Sequence, residues 1–337
     1  MPTRDLIVVG ASAGGVEALR AFVAGLPEDL EAAVAVVLHL PSGGTSALPA
    51  ILDRSGPLPA VGARAGMPLR PGRIHVAPPD HHLLVVDGTA HLSHGPTENG
   101  HRPAVDALFR SAAAARGSGV IGVVLSGALD DGAAGMVAIA NRGGLTVVQD
   151  PEEALYTGMP SAVMRHVSVD HVVSAGTMGA LLKDEVGRRV PDGREPSEML
   201  RREVVLTAND GGADPSEVRG MGTPSNFSCP DCSGTLVELD VEGSRFRCQI
   251  GHGWTADALL DAQDATLEKA LWTALRTLEE KANLARRMRA DAQKRGADAM
   301  VKRYQNSEQE STAAADVLRG HLMSGAFAPN PQAEHST

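Results

Sequence analysis

Short runs of apolar residues, each followed by a stretch of helix length, fill the first half of the chain and restrict its fold more than any other feature. "LIVV" (6–9), "AVAVVL" (33–38), "VIGVVL" (120–125) and "LTVV" (145–148) leave almost no polar position for a solvent-facing side. Strands apolar on both faces belong to a parallel sheet covered on both sides. Between them, segments such as "GVEALRAFVAGL" space their apolar residues as one face of a helix. The pattern predicts an α/β fold with a doubly wound, mostly parallel sheet. The stretch "GRIHVAPPDHHLLVVDGTAHLS" (72–93), interrupted by Pro and Gly, predicts a hairpin at an edge of that sheet.

At 337 residues the chain is too long for one typical domain. The α/β pattern occupies 1–185. Residues 186–226, rich in Gly, Pro and charge, read as a linker in which "REVVLT" could pair as one strand. A small cysteine-bearing unit follows at 227–256. A two-helix segment spans 257–325, with Leu267, Leu271, Leu275, Leu278, Ala282 and Ala285 on one stripe, and a disordered tail is expected at 326–337. The net charge of −10 argues against nucleic acid as a partner. The apolar runs fall well short of the roughly 20 residues of a membrane span, and Asp5 interrupts any signal-like start, so a cytoplasmic protein without membrane insertion is expected.

The first strand runs into "GASAGG" (10–15). A dinucleotide turn needs G-x-G-x-x-G and an acidic residue at the end of the second strand; here the glycines are Gly10, Gly14 and Gly15, and the second strand ends in His39 and Leu40. The G-x-S-x-G nucleophile elbow does match, with Ser12 at its centre and a helix N-terminus behind it. A serine capping the helix fits the same pattern equally well. His39 follows "AVAVVL" and Asp131 follows "VIGVVLSG" at corresponding strand ends. Three strands thus deliver a nucleophile, a base and an orienting carboxylate to one rim. Taken singly, His39 as a strand cap and "LDDGAAG" as an Asp-capped helix start are the plain alternatives.

Together these residues resemble the catalytic domain of CheB-type chemotaxis protein-glutamate methylesterases. The matching stretches are "GASAGG" at 10–15, "HLP" at 39–41, "GRIHVAPPDHHL" at 72–83, "HRPAVDALFRSAA" at 101–113, "SGALDDGAAG" at 126–135 and "GMP" at 158–160. The resemblance carries the family's catalytic serine, histidine and aspartate onto Ser12, His39 and Asp131, with Asp130 a bystander. It implies hydrolysis of glutamate 5-methyl esters on chemoreceptor-like proteins, with glutamine deamidation as a related acyl transfer of some members, and no cofactor for catalysis. Two departures stand out. The aspartate loop has Ala128 where the family usually carries Met, and Leu129 at a glycine position. The first strand begins at Leu6, so activation through a fused N-terminal receiver domain is not expected. A non-catalytic signalling scaffold of the same fold is the competing reading.

All three cysteines lie between 229 and 248. "CPDC" and "CQIGH" make C-x2-C followed by C-x3-H, so Cys229, Cys232, Cys248 and His252 read as a closed structural zinc site of ribbon type. A closed site has no open position for chemistry, which predicts a folding or docking role and an esterase unaffected by chelation. The balanced charge of the helices that follow points to a signalling protein partner. His75, His81, His82, His91, His94 and His101 lack metal-ligand spacing and read as solvated or structural.

Overall fold

Along the chain, β1 (Leu6–Ala11), α1 (Gly15–Ala24), β2 (Ala33–Leu38), α2 (Leu48–Asp53), β3 (Ala60–Gly62), β4 (Met67–Pro68), β5 (Arg73–Val76), β6 (His82–Val86) and β7 (Thr89–Ser93) come first. They precede α3 (Val105–Arg116), β8 (Val120–Val124), α4 (Ala133–Asn141), β9 (Leu145–Gln149), α5 (Gly158–His166), β10 (His171–Val173) and α6 (Met178–Glu185). The structure is a computed structural model describing residues 1–40, 43–211, 214–240 and 244–324. Pro41 and the tail expected at 326–337 lie outside the described residues. The chain divides into two units, Met1–Leu259 and Leu260–Thr337.

In the first unit, seven strands form one sheet in the order β10-β9-β8-β1-β2-β5-β3, every neighbouring pair parallel. Alternate residues of β1 feed two cores. Ile7 and Val9 pack with Leu19 and Phe22 of α1 and Met178 and Leu182 of α6. Leu6 and Val8 pack with Leu108 and Phe109 of α3, Met136 of α4 and Val163 of α5. Helices on both faces explain why the strands could be apolar throughout. Full burial of side chains such as Phe22 and Phe109 contributes about 1.5–3 kcal/mol each.

Two expectations are corrected. β5 is a member of the main sheet, and the β6–β7 hairpin pairs with β4 in a separate three-stranded antiparallel sheet. Leu83, Val85 and Ala90 of that hairpin join the α3 core, which draws it over the helix and away from the sheet edge. The supposed linker contains α7 (Glu198–Ala208) and α8 (Pro215–Arg219). "REVVLT" is helical: Ser197 caps α7 by accepting from Leu200 N at 3.2 Å, and Leu200, Glu203, Leu206 and Thr207 are buried at helical steps. Burial of that face outweighs the β preference of Val204 and Val205.

The rest of the first unit is a four-stranded antiparallel sheet of β11 (Thr223–Ser228), β12 (Thr235–Glu238), β13 (Arg245–Cys248) and β14 (Gly253–Thr255), here called the ribbon. α9 (Ala256–Lys294) leaves it, and most of α9 forms the second unit with α10 (Asp298–Met323). These helices pair antiparallel, with Arg286 bonded to Glu308 at 2.9 Å and Arg319 to Glu279 at 2.5 Å. Leu275, Ala282, Ala285 and Ala315 are buried, whereas Leu267 stays exposed, so only part of the expected stripe is covered within this unit.

Candidate active site

β1 sits between β2 and β8, where the winding of the sheet reverses, and a crevice at the carboxyl ends of strands is the expected consequence. Ser12 follows β1, His39 follows β2, and the loop after β8 carries Asp131. Backbone bonds lock the three ends together: His39 N donates to Ala11 O at 3.3 Å, Leu125 N to Gly10 O at 2.9 Å and Ser12 N to Ser126 O at 3.0 Å. The turn differs from a nucleophile elbow in its strain. Ser12 is not among the residues with positive φ; Gly14 takes the left-handed conformation at 68°, and a Cβ there would lie 2.7 Å from Ser126 Oγ. α1 has no side-chain cap, and within its first turn Gly15 N donates to Ser12 O at 2.9 Å.

The structure brings the three residues together. His39 Nε2 lies 2.7 Å from Asp131 Oδ2, and His39 Nδ1 lies 3.0 Å from Ser12 Oγ. With Nε2–H donating to the carboxylate, Nδ1 is left to accept the Ser12 hydroxyl proton. Asp131 accepts three further bonds, from Val105 N at 2.7 Å, Asp106 N at 3.1 Å and Asn99 Nδ2 at 3.3 Å. Burial pushes the Asp131 carboxyl up, but the His39 bond and the donors around it prevail and hold it at about 2. Its neighbour Asp106 goes the other way: burial, then repulsion from Asp131, raises it well above the usual carboxylate range. Asp106 Oδ1 accepts from Gly132 N and Gly135 N at 3.0 and 2.6 Å and so anchors α4 beneath the aspartate loop.

Asn99 escaped the sequence reading, and His101, read there as solvated or structural, lies in the site. Asn99 and Gly100 have φ of 52° and 73°, the two central positions of a tight turn closed by Glu98 N to His101 O at 3.1 Å and His101 N to Glu98 O at 2.8 Å. This turn aims Asn99 at Asp131 and lays the His101 ring on His39, with centroids 3.7 Å apart and planes at 14°. His101 Nδ1–H donates to Asn99 O at 2.7 Å. Burial, then repulsion from His39, lowers its pKa, so it stacks as a neutral ring. The Asn-Gly pair was the available signal. His82 is structural as expected, donating to Pro96 O and accepting from Ala104 N.

Leu129, Leu155 and Tyr156 are exposed, and Leu155 Cβ approaches the Gly14 turn. His39 also lines an open depression of about 490 Å³, together with Leu40, Asp80, Thr97, Gly100, His101 and Arg102. Leu129, at the position where the resemblance expects glycine, adopts φ 59°.

The predicted ligands also meet. The donor atoms of Cys229, Cys232, Cys248 and His252 lie within 4.8 Å of one another. Cys232 and Cys248 Sγ are 3.6 Å apart, and His252 Nδ1 is 3.4 Å from Cys248 Sγ and 3.7 Å from Cys229 Sγ. A tetrahedral ion at about 2.3 Å from sulfur and 2.0 Å from nitrogen requires separations of about 3.8 and 3.5 Å, so the cluster could hold a metal ion of zinc's size.

A family model described as CheB methylesterase matches residues 7–182. A protein-glutamate methylesterase/protein-glutamine glutaminase of Nocardioides sp. (strain ATCC BAA-499 / JS614) is 41% identical over 190 residues, 55% of this chain and 52% of the relative. A second such protein, from Anaeromyxobacter dehalogenans (strain 2CP-C), is 39% identical over 180 residues, 53% of each. The chain spans about half the length of the curated relatives it matches. The crystal structure of the Thermotoga maritima CheB methylesterase catalytic domain is similar with a TM-score of 0.52 and 32% identity, over 54% of this chain and 98% of that one.

Proposed function

Since the chain belongs to the CheB methylesterase family, as the match over residues 7–182 shows, we propose that it hydrolyses glutamate 5-methyl esters on chemoreceptor-like proteins through Ser12, His39 and Asp131. One observation carries this reading: the continuous bond path from Ser12 Oγ through both nitrogens of His39 to Asp131. His39 Nδ1 takes the Ser12 proton as Oγ attacks the ester carbonyl, and the first turn of α1 offers N–H groups to the oxyanion. The proton passes to the departing methoxide, which leaves as methanol. Water then attacks the glutamyl-Ser12 ester, with His39 again as base, and glutamate is released. Asp131 stabilises the imidazolium in both steps and stays ionised, in keeping with its lowered pKa. A primary amide would follow the same course with ammonia leaving, which is the deamidase reaction.

A protein substrate fits the exposed Leu129, Leu155 and Tyr156 beside Ser12, since a small soluble ester needs no apolar rim of this kind. Zinc is proposed for the ribbon cluster as a structural ion. Among the described residues no helix is long and apolar enough to cross a membrane, which agrees with a cytoplasmic site of action. Exposed Leu267, Trp272 and Leu284 support a protein partner for the helix pair. The test is methanol release from a methylated chemoreceptor cytoplasmic fragment. The full chain should release methanol and Ser12→Ala should not; equal release by both would end the proposal.

A further inference from the structure

The ribbon docks through buried charge directly behind the site. Glu98, 3% exposed, pairs with Arg110 of α3, with Arg247 of β13 at 3.2 Å, and accepts from Thr207 Oγ1 at 2.7 Å. Glu203 of α7 binds Arg245 of β13 at 3.0 Å and Arg247 at 3.5 Å. β14 then runs along the turn that carries Asn99 and His101. Gly253 N donates to Thr97 O at 3.1 Å, and Asn99 N to Gly253 O at 2.8 Å. Thr255 N donates to the Asn99 side-chain oxygen at 2.8 Å, while the amide group of the same side chain reaches Asp131. Thr255 Oγ1 donates to Asp130 at 2.8 Å, one residue before the triad carboxylate.

β14 begins one residue after His252, and β13 ends on Cys248, so the proposed metal ligands close the very hairpin that backs the turn. Cys248 N donates to His252 O at 3.0 Å, and Arg247 Nη1 donates to Gly251 O at 2.7 Å inside the connecting loop. Between the ligand cluster and the triad runs a short path of fixed groups: His252, Gly253 to Thr255, Asn99, Asp131. A sheet as small as the ribbon has little apolar core of its own and depends on a cross-link to hold its shape.

We propose that the metal-closed ribbon is a brace for the triad, with Asn99 as the positioning residue that transmits its order to Asp131. The claim rests on the esterase reading and replaces the expectation that the cluster and the site are independent. No chemistry passes through the metal. Its removal loosens the β13–β14 hairpin, frees the 98–101 turn and lets the Asp131 carboxylate and the His101 ring drift from His39. Misplacement by about 1 Å can cost about a hundredfold in rate.

The test uses the full chain, with zinc alone as the metal probe. Zinc is quantified before and after chelation, and two readouts follow. One is hydrogen exchange at residues 97–106 and 253–256. The other is kcat and KM for p-nitrophenyl acetate, checked for dependence on Ser12. Chelation should speed exchange in both segments while β1 and β2 stay protected, and should lower kcat about tenfold to a hundredfold with KM nearly unchanged; zinc should restore both. Asn99→Gly keeps the left-handed turn and removes both side-chain bonds. It should hold zinc normally yet lose kcat to a similar degree and respond no further to chelation. A chain that holds no zinc, or one stripped of zinc with exchange at 97–106 and kcat unchanged, would overturn the brace, as would full kcat in Asn99→Gly. Absence of Ser12-dependent hydrolysis in the zinc-loaded chain would instead count against the esterase reading, and exchange would still decide the brace.

Discussion

Toward the sheet rim, the turn at residues 98–101 meets one carboxylate, Asp131, held by four N–H donors; toward the ribbon it meets Arg110, Arg245, Arg247 and Glu203 in a buried ionic network. The two sides solve different problems. On the rim side, a single ionised group is aimed by uncharged neighbours, so a change of one atom alters geometry and proton affinity. On the ribbon side, charges hold one another out of water, so losing one strands its partner. Rim substitutions should therefore cost rate directly, and substitutions of ribbon-side charges should cost stability first, with rate falling only as far as the brace loosens.

The largest effect is expected from Asp131→Asn. Both Asp131 oxygens accept, whereas an amide has one acceptor oxygen and one NH2 group. Asn therefore either turns its NH2 to His39 and favours the wrong tautomer or sets it against the N–H donors of Asn99 and Asp106, and it lacks the charge that stabilises the imidazolium. The kcat should fall about 10⁴-fold in the methanol-release assay with the fold retained by circular dichroism. A loss of fold in place of rate would break the distinction between the two sides. Next comes Arg247→Ala, which leaves Glu98 and Glu203 short of a cation in a buried site. It should destabilise the first unit by about 3–5 kcal/mol in urea unfolding. A cost below about 1 kcal/mol would show the network to be replaceable.

The smallest effect sits where the two sides meet. Burial pushes Asp130 up to about 6, against the opposing bond from Thr255. A raised carboxyl stabilises the fold while it is protonated, and that contribution is lost as pH rises through about 6. Asp130→Asn, neutral at every pH, should raise stability by about 1–3 kcal/mol at pH 8 and leave it unchanged near pH 3.5. Thermal unfolding at the two pH values checks this, and an equal effect at both would remove the charge argument.

The sequence made some of this readable and hid the rest for physical reasons. Ser12, His39 and Asp131 each stand just past an apolar run, so their convergence follows from the parallel sheet that those runs require. The four ligands share a short stretch with metal-binding spacing. Asn99 carries no such signal beyond the Asn-Gly turn, and neither the matched stretch that His101 opens nor its place among the histidines gave its role, because their partners Asp131, His39 and Thr255 are distant in the chain. Glu98, Glu203, Arg245 and Arg247 look like ordinary surface charges until the ribbon closes over them. α7 was obscured by Val204 and Val205, whose strand preference is overridden by packing.

Ser12, as a nucleophile activated by His39, is the residue on which the hydrolysis depends. Treating the full chain with a serine-directed fluorophosphonate and mapping the adduct by mass spectrometry tests it most directly. A single adduct on Ser12 is expected, forming at least about a hundredfold more slowly in His39→Gln. An adduct at another serine, or labelling of Ser12 at the same rate without His39, would contradict it.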